Sequence, residues 1–264
     1  MNILDIKRSL NKVGIKKEKS IFLIYELFRL GKIDGVKKNS HYFKTYLDCI
    51  IQCLGKNETL TMNTYSFDTL RFNKNFNLLN KKTSAGKLSD TLLKKKGIIR
   101  SLHPVFSVAS IGRHKKFICS KNSQHNYGKN SPYDRLLKLD SAILSFGLNI
   151  VDNPFLHCAE YASGVPYFYN KIFNKNVYKG KKKINKKFVF FMRYKNLNIR
   201  YNHSKIEKIL HKKKIIKKIK LGSGFITICK AKLFYNEICE ILKKDIHGLL
   251  IKIPNYSKNQ FPFK

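Results

Sequence analysis

Tryptophan is missing from the 264 residues, and acids are scarce: 16 Asp and Glu stand against 54 Lys and Arg, a formal net charge of +38. No stretch approaches the roughly 18 consecutive apolar residues of a membrane span, so a soluble chain is expected. The N-terminus, MNILDIKRSLNKVGIKKEKS, interleaves Lys and Arg with apolar residues and lacks a small-residue cleavage site. No secretory leader is therefore expected, and the expected location is the cytoplasm. The cysteines (Cys49, Cys53, Cys119, Cys158, Cys229, Cys239) include no C-x-x-C pair. A chain of this length has no need of disulfide staples, so reduced thiols and no metal site are expected. No G-x-G-x-x-G phosphate loop occurs either.

What is present is material for a core: 43% of residues are hydrophobic, enough for an enzyme-sized fold. The positive charge suits an anionic partner. Its spread along the chain, together with abundant Lys, Asn, Ile, Phe and Tyr, favours the codon bias of an AT-rich genome over a nucleic-acid-binding stripe. A basic nucleic-acid-binding protein, built on the segments near 179–187 and 205–220, stays open as an alternative.

Periodicity predicts a helix over 3–12 before Gly14, a buried strand SIFLIY at 20–25, and a helix from about Ser40 to Gly55. On that helix Cys49 and Cys53 lie four apart, as on one packed apolar face. TLTMNTY at 59–65 reads as a strand, 66–85 as a long polar connection, and 86–97 as a short helix. Ser131, Pro132 and Asp134 form a helix start with Ser131 as N-cap, and AILSFG at 142–147 is the strand behind it. Further on, 187–194 and 224–231 read as strands, 204–219 as a very basic helix or loop, 232–243 as a helix and IPNYSKNQFPFK as irregular. YKGKKKINKK at 178–187 is too rich in Lys for burial and reads as an exposed loop. Helices alternating with short apolar strands imply an α/β fold, a layered mixed sheet covered by helices, in one domain over 1–264 with a basic, exposed insertion near 170–220.

Within NPFLHCAEYAS at 153–163, His157 and Glu160 are three apart, which places them on one face of a helix. A carboxylate beside an imidazole fixes its tautomer and raises its basicity, the requirement for a general base near neutral pH. A plain helix-surface pair gives the same spacing.

Upstream lie IIRSLHPVFSVASIG at 98–112 and GKNSPYDRLLKLDSAILSFG at 128–147. With NPFLHCAEY they follow, in order and separation, the pattern R-S-x-H-P-x-x-S, S-P, a strand ending in Gly, and N-T-x-x-H-x-x-E. LGKNETLTMNTYSF at 54–67, TSAGKLSDTLLKKKG at 83–97 and LGSGFITICKAKLF at 221–234 extend the agreement. The chain thus resembles the aminoglycoside 3-N-acetyltransferase family, also called the antibiotic N-acetyltransferase family. The resemblance spans most of residues 8–250 and is faint in the lysine-rich stretch 170–220.

The resemblance implies a mixed-sheet fold distinct from the commoner acetyltransferase superfamily, acetyl-CoA as donor and a sugar-like amine as acceptor. It assigns His157 as the base and Glu160 as the group that orients it. Arg100, Ser101 and His103 are carried over as donor-side or loop-shaping residues, and Ser107 and Ser131 as candidates to meet the thioester oxyanion. Asn153 keeps its place, whereas Pro154 replaces the family's Thr and suits a first helical position. After the first strand the family's H-S-S-L and Gly-Gly pair give way to LIYELFRLGKIDGV, with Tyr25 and Glu26 at the serines, Gly31 retained and Gly35-Val36 at the pair. There Glu26 could meet an acceptor amine. Aminoglycosides are polycations, which a +38 surface repels, so a biosynthetic amino sugar is the alternative acceptor, and an inactive relative a further alternative.

Overall fold

The computed structural model describes residues 1–55, 57–72, 74–173 and 176–256. In chain order the first half holds α1 (Ile3–Val13), β1 (Ser20–Tyr25), α2 (Asn39–Leu54), β2 (Thr59–Asn63), α3 (Asp68–Arg71), β3 (Phe76–Asn77), α4 (Lys87–Leu93), β4 (Ile99–Arg100), β5 (Val108–Ile111) and α5 (Lys115–Cys119). The second half holds α6 (Pro132–Lys138), β6 (Ala142–Phe146), α7 (Pro154–Ser163), β7 (Phe168–Phe173), β8 (Val177–Lys179), β9 (Lys182–Ile184), β10 (Phe188–Arg193), α8 (His203–Lys212), β11 (Lys217–Leu221), β12 (Gly224–Lys230) and α9 (Ala231–Lys244).

Seven strands form one mixed sheet in the order β11-β12-β6-β1-β2-β5-β4. Its centre, β6-β1-β2, is parallel, and β12 and β5 flank it antiparallel. Successive side chains of a strand point to opposite faces, and both faces of this sheet are covered. Phe22 and Ile24 of β1 join a core with α6, α7 and α9, while Ile21 and Leu23 join a second core with α1, α2 and α4. A strand buried on both sides carries an unbroken apolar run, which is why SIFLIY has no polar alternation. The layered mixed α/β sheet expected from the sequence is the fold observed.

Caps set the helix ends. Asn2 and Asp5 form a reciprocal capping box on α1, and Gly14 ends it in the left-handed region at φ 100°. Ser131 accepts from the Asp134 N–H at the start of α6. Gly147, at φ 73°, follows β6 where an added Cβ would lie 2.6 Å from the Glu26 carbonyl. Only glycine lets the chain leave β6 so close to the end of β1.

The lysine-rich stretch differs from its reading as an exposed loop. β7 and β10 pair antiparallel, and β8 and β9 form a hairpin joined to β3. Phe173, Val177, Phe188 and Phe190 are buried there in a small core with Phe76 and Val105. The lysines of 179–187 mask this core in the sequence because they occupy the solvent side and the edges of short strands, where charge blocks edge-to-edge pairing. Residues 204–219 likewise divide into helix α8 and edge strand β11, whose Lys217, Lys218 and Lys220 are each exposed. The irregular C-terminal stretch lies outside the described residues from 257 onward. Among the described residues no helix is long and apolar enough to cross a membrane.

Candidate active site

The carboxyl ends of β1 and β2 and the start of α7 surround a cavity of about 760 Å³, the place where parallel α/β sheets collect ligands. Asn153 caps α7 by accepting the Phe155 N–H at 2.8 Å, and Pro154 takes the first turn, where a missing N–H costs nothing. Phe155 is fully buried edge-on to Phe22, with centroids 5.4 Å apart. That anchor fixes the rotation of α7 and turns His157 to the cavity.

His157 Nδ1 lies 2.6 Å from Glu160 Oε2. Glu160 is wholly buried while the His157 side chain is 28% exposed, so the carboxylate supports the ring from inside. The second carboxylate oxygen, Oε1, accepts from the Tyr201 hydroxyl at 2.8 Å. Burial and the Glu160 charge push the Tyr201 pKa upward, which keeps the phenol a proton donor. With Nδ1 committed to a carboxylate, Nε2 is the ring nitrogen available to a ligand. Rings of Tyr127, Phe168 and Tyr201 stand 5.6 to 6.1 Å from the imidazole and restrict its other orientations. Asn63 also lines the cavity; its Oδ1 accepts from Tyr133, which leaves the amide N–H groups to face a ligand.

A second cavity of about 1790 Å³ adjoins the first, and Tyr25 lines both. The Tyr25 hydroxyl donates to the Ala85 carbonyl at 2.7 Å and accepts from the Ser89 N–H at 3.1 Å, which holds the ring as a partition. Eight lysines line this larger space against two carboxylates, Glu26 and Asp90. Six of them, Lys32, Lys37, Lys81, Lys82, Lys87 and Lys94, have no carboxylate partner among the described residues. Glu26 sits here in an ion pair with Arg29, which occupies it, and not in the cavity of His157. Gly31 also lines this cavity at φ 86°, and its carbonyl accepts from the Tyr42 hydroxyl. Among the described residues no group of three or more His, Cys, Asp or Glu side chains could hold a metal ion.

The family profile described as aminoglycoside 3-N-acetyltransferase matches residues 26–243. The chain belongs to this family. Solved structures with the same fold include sisomicin-bound AAC-VIa (TM-score 0.78, 15% identity, 92% of this chain and 98% of that one). AAC-IIIb with CoASH gives a TM-score of 0.76 at 15% identity over 92% of this chain and 97% of that one. YokD from Bacillus subtilis gives 0.74 at 17% identity over 93% and 100%. A search of curated protein sequences gives no match.

Within this acetyltransferase family member, the R-S-x-H-P segment does not reach either cavity. Arg100 is buried and spends its guanidinium on the Thr64 and Asn80 carbonyls and the Ser66 and Ser107 hydroxyls, at 2.7 to 3.0 Å, with Phe76 under its plane. Burial lowers its pKa to about 10. Ser101 accepts the Val108 N–H, and Ser107 donates to the Thr64 carbonyl. These bonds pin the 64–80 connection, whose neighbours Tyr65, Phe67 and Ser84 line the smaller cavity. Arg100, Ser101 and His103, expected on the donor side or as loop-shaping residues, and Ser107 and Ser131, expected at the oxyanion, are all buried and line neither of these two cavities. Asn153 does line the cavity, with its side chain committed to the α7 cap. Sequence reasoning missed Tyr201, Arg193 and His203, which lie within the faint stretch, and Asn63 at the end of β2, where position alone was the signal; Tyr25 stood out only as a departure from the family's serines.

His103 Nδ1 accepts the N–H groups of Val105 and Phe106, so its proton sits on Nε2, 3.2 Å from the Val189 carbonyl. Burial pushes its pKa down from 6.5 to about 4. The unfolded chain then binds the proton first as pH falls, so stability is retained above pH 6.5 and lost between about 6.5 and 4. The loss is about 3 kcal/mol. Urea melts across that range should show this decline, and His103→Asn should be less stable at pH 7 with a flatter pH dependence. An equal decline in the variant removes His103 as its source.

Proposed function

We propose that residues 1–264 form one acetyl-CoA-dependent N-acetyltransferase domain acting on the amine of an amino-sugar acceptor, with His157 as general base. The observation that carries this reading is the chain Tyr201–Glu160–His157, which commits Nδ1 and leaves Nε2 to the cavity. An amine arrives largely protonated at neutral pH and cannot attack until that proton leaves. Once the ammonium has given its first proton to solvent, His157 takes a second from the neutral amine as nitrogen bonds to the thioester carbonyl carbon, and can pass it to the leaving sulfur. The carbon–sulfur bond breaks, and the electron pair and a proton end on the coenzyme A sulfur. The Asn63 amide suits the carbonyl oxygen as it gains charge.

The lysines of the larger cavity suit the phosphates of coenzyme A, and Tyr25 marks where the thioester end would enter the smaller one. That a relative was solved with CoASH and another with sisomicin supports a two-substrate arrangement. Thiol release from acetyl-CoA across an amine panel tests the reaction, and no release with any amine removes it. Changing Lys81, Lys82 and Lys87 together to Gln should raise the acetyl-CoA KM on the order of 10-fold, and more salt should raise that of the unaltered enzyme. An unchanged KM takes the donor away from this cavity.

A further inference from the structure

The charges around the smaller cavity are the reverse of those a polycationic acceptor needs. Arg193 and Arg200 line it against a single carboxylate, Asp152. Asp152 is already met by His203 Nε2 at 2.8 Å. Glu160 is buried behind His157, its two oxygens taken by His157 and Tyr201. Neither arginine has a carboxylate partner among the described residues.

Both arginines are nevertheless placed. The Arg193 guanidinium lies 5.9 Å from the centroid of the Tyr201 ring, a cation–π contact on the residue that supports Glu160. Arg200 directly precedes Tyr201, and its carbonyl accepts the Ile251 N–H at 3.0 Å, which ties that backbone to the C-terminal segment. Two unpaired guanidinium forks at the mouth of a cavity match an oxyanion, above all a phosphoryl group, which they can grip in bidentate fashion. A volume of about 760 Å³ falls in the range of small-molecule sites and exceeds one hexose. A ligand bearing several ammonium groups would instead meet like charge.

We infer that the acceptor is a phosphorylated amino sugar, its phosphoryl group held by Arg193 and Arg200 while its amine meets His157. This rests on the acetyltransferase reading above and specifies its substrate class. The two arginines are then the residues that select the acceptor.

Thiol release should be measured with glucosamine, glucosamine 6-phosphate, UDP-glucosamine and kanamycin as acceptors. At least one phosphorylated acceptor should exceed glucosamine in kcat/KM by a factor on the order of 10, with kanamycin below both. Comparing the two phosphorylated probes separates a simple sugar phosphate from a nucleotide-linked sugar. The pair Arg193→Gln and Arg200→Gln should erase the preference chiefly through KM, and Arg193→Lys with Arg200→Lys should restore part of it. Both side chains are exposed, and thermal melts check that the variants fold. Kanamycin as the best acceptor, or a preference that survives the Gln pair, overturns the phosphoryl assignment while leaving the acetyltransferase reading standing. No thiol release with any of the four overturns both.

Discussion

Replacing His157 with alanine is expected to lower acetyl-CoA turnover by a factor on the order of 100 or more, the scale of a positioned general base. The side chain is partly exposed at the cavity and the helix beneath it is anchored by Phe155, so the fold should persist. The KM for acetyl-CoA should move little, because the lysine-lined cavity does not include this residue. A fall in kcat with a steady donor KM separates lost proton transfer from a lost binding site. Supporting residues should give graded effects. Glu160→Gln leaves a neutral partner for Nδ1 and should cost more than Tyr201→Phe, which removes one hydrogen bond to the carboxylate. Tyr201→Phe should lower kcat by a factor on the order of 10, in keeping with a bond to a charged group worth about 1.5 kcal/mol. Turnover in His157→Ala equal to that of the unaltered enzyme would remove the base assignment.

The candidate base was legible because helical geometry brings residues three apart together without help from the rest of the chain. Asn153 and Pro154 announce the start of that helix, and Gly164 ends it in the left-handed region. Tyr201 was not legible: it lies 41 residues from Glu160, and nothing local marks it as a partner. The same holds for the core under the lysine-rich stretch. Phe173 and Phe188 pair across β7 and β10, yet the intervening lysines dominate any local window. Motif and geometry part company at R-S-x-H-P. Types and spacing indicate that a segment matters, while only the hydrogen-bond partners distinguish a ligand contact from a loop brace. Cap, period and turn chemistry are local and can be read along the chain; a brace between residues 64–80 and Arg100 is a property of the assembled sheet edge.

That brace carries the second large effect. Arg100→Met should destabilise the protein by about 4 kcal/mol, the scale of removing one partner from a buried, fully hydrogen-bonded charge network. Methionine fills part of the volume but leaves the Thr64 and Asn80 carbonyls without their donor. Both groups would have to find water or each other in a site that excludes the arginine itself from solvent. For a chain of this size the loss should lower the melting temperature on the order of 10 °C. Lysine is no rescue, because a single ammonium cannot reach four acceptors spread around a planar fork. Activity should fall with the folded fraction and with loosening of the 64–80 connection, so the acceptor KM should rise before the acetyl-CoA KM does: Tyr65, Phe67 and Ser84 line only the smaller cavity. The opposite result, a normal melting temperature with acetyl-CoA binding lost, would return Arg100 to the donor site that the motif had implied.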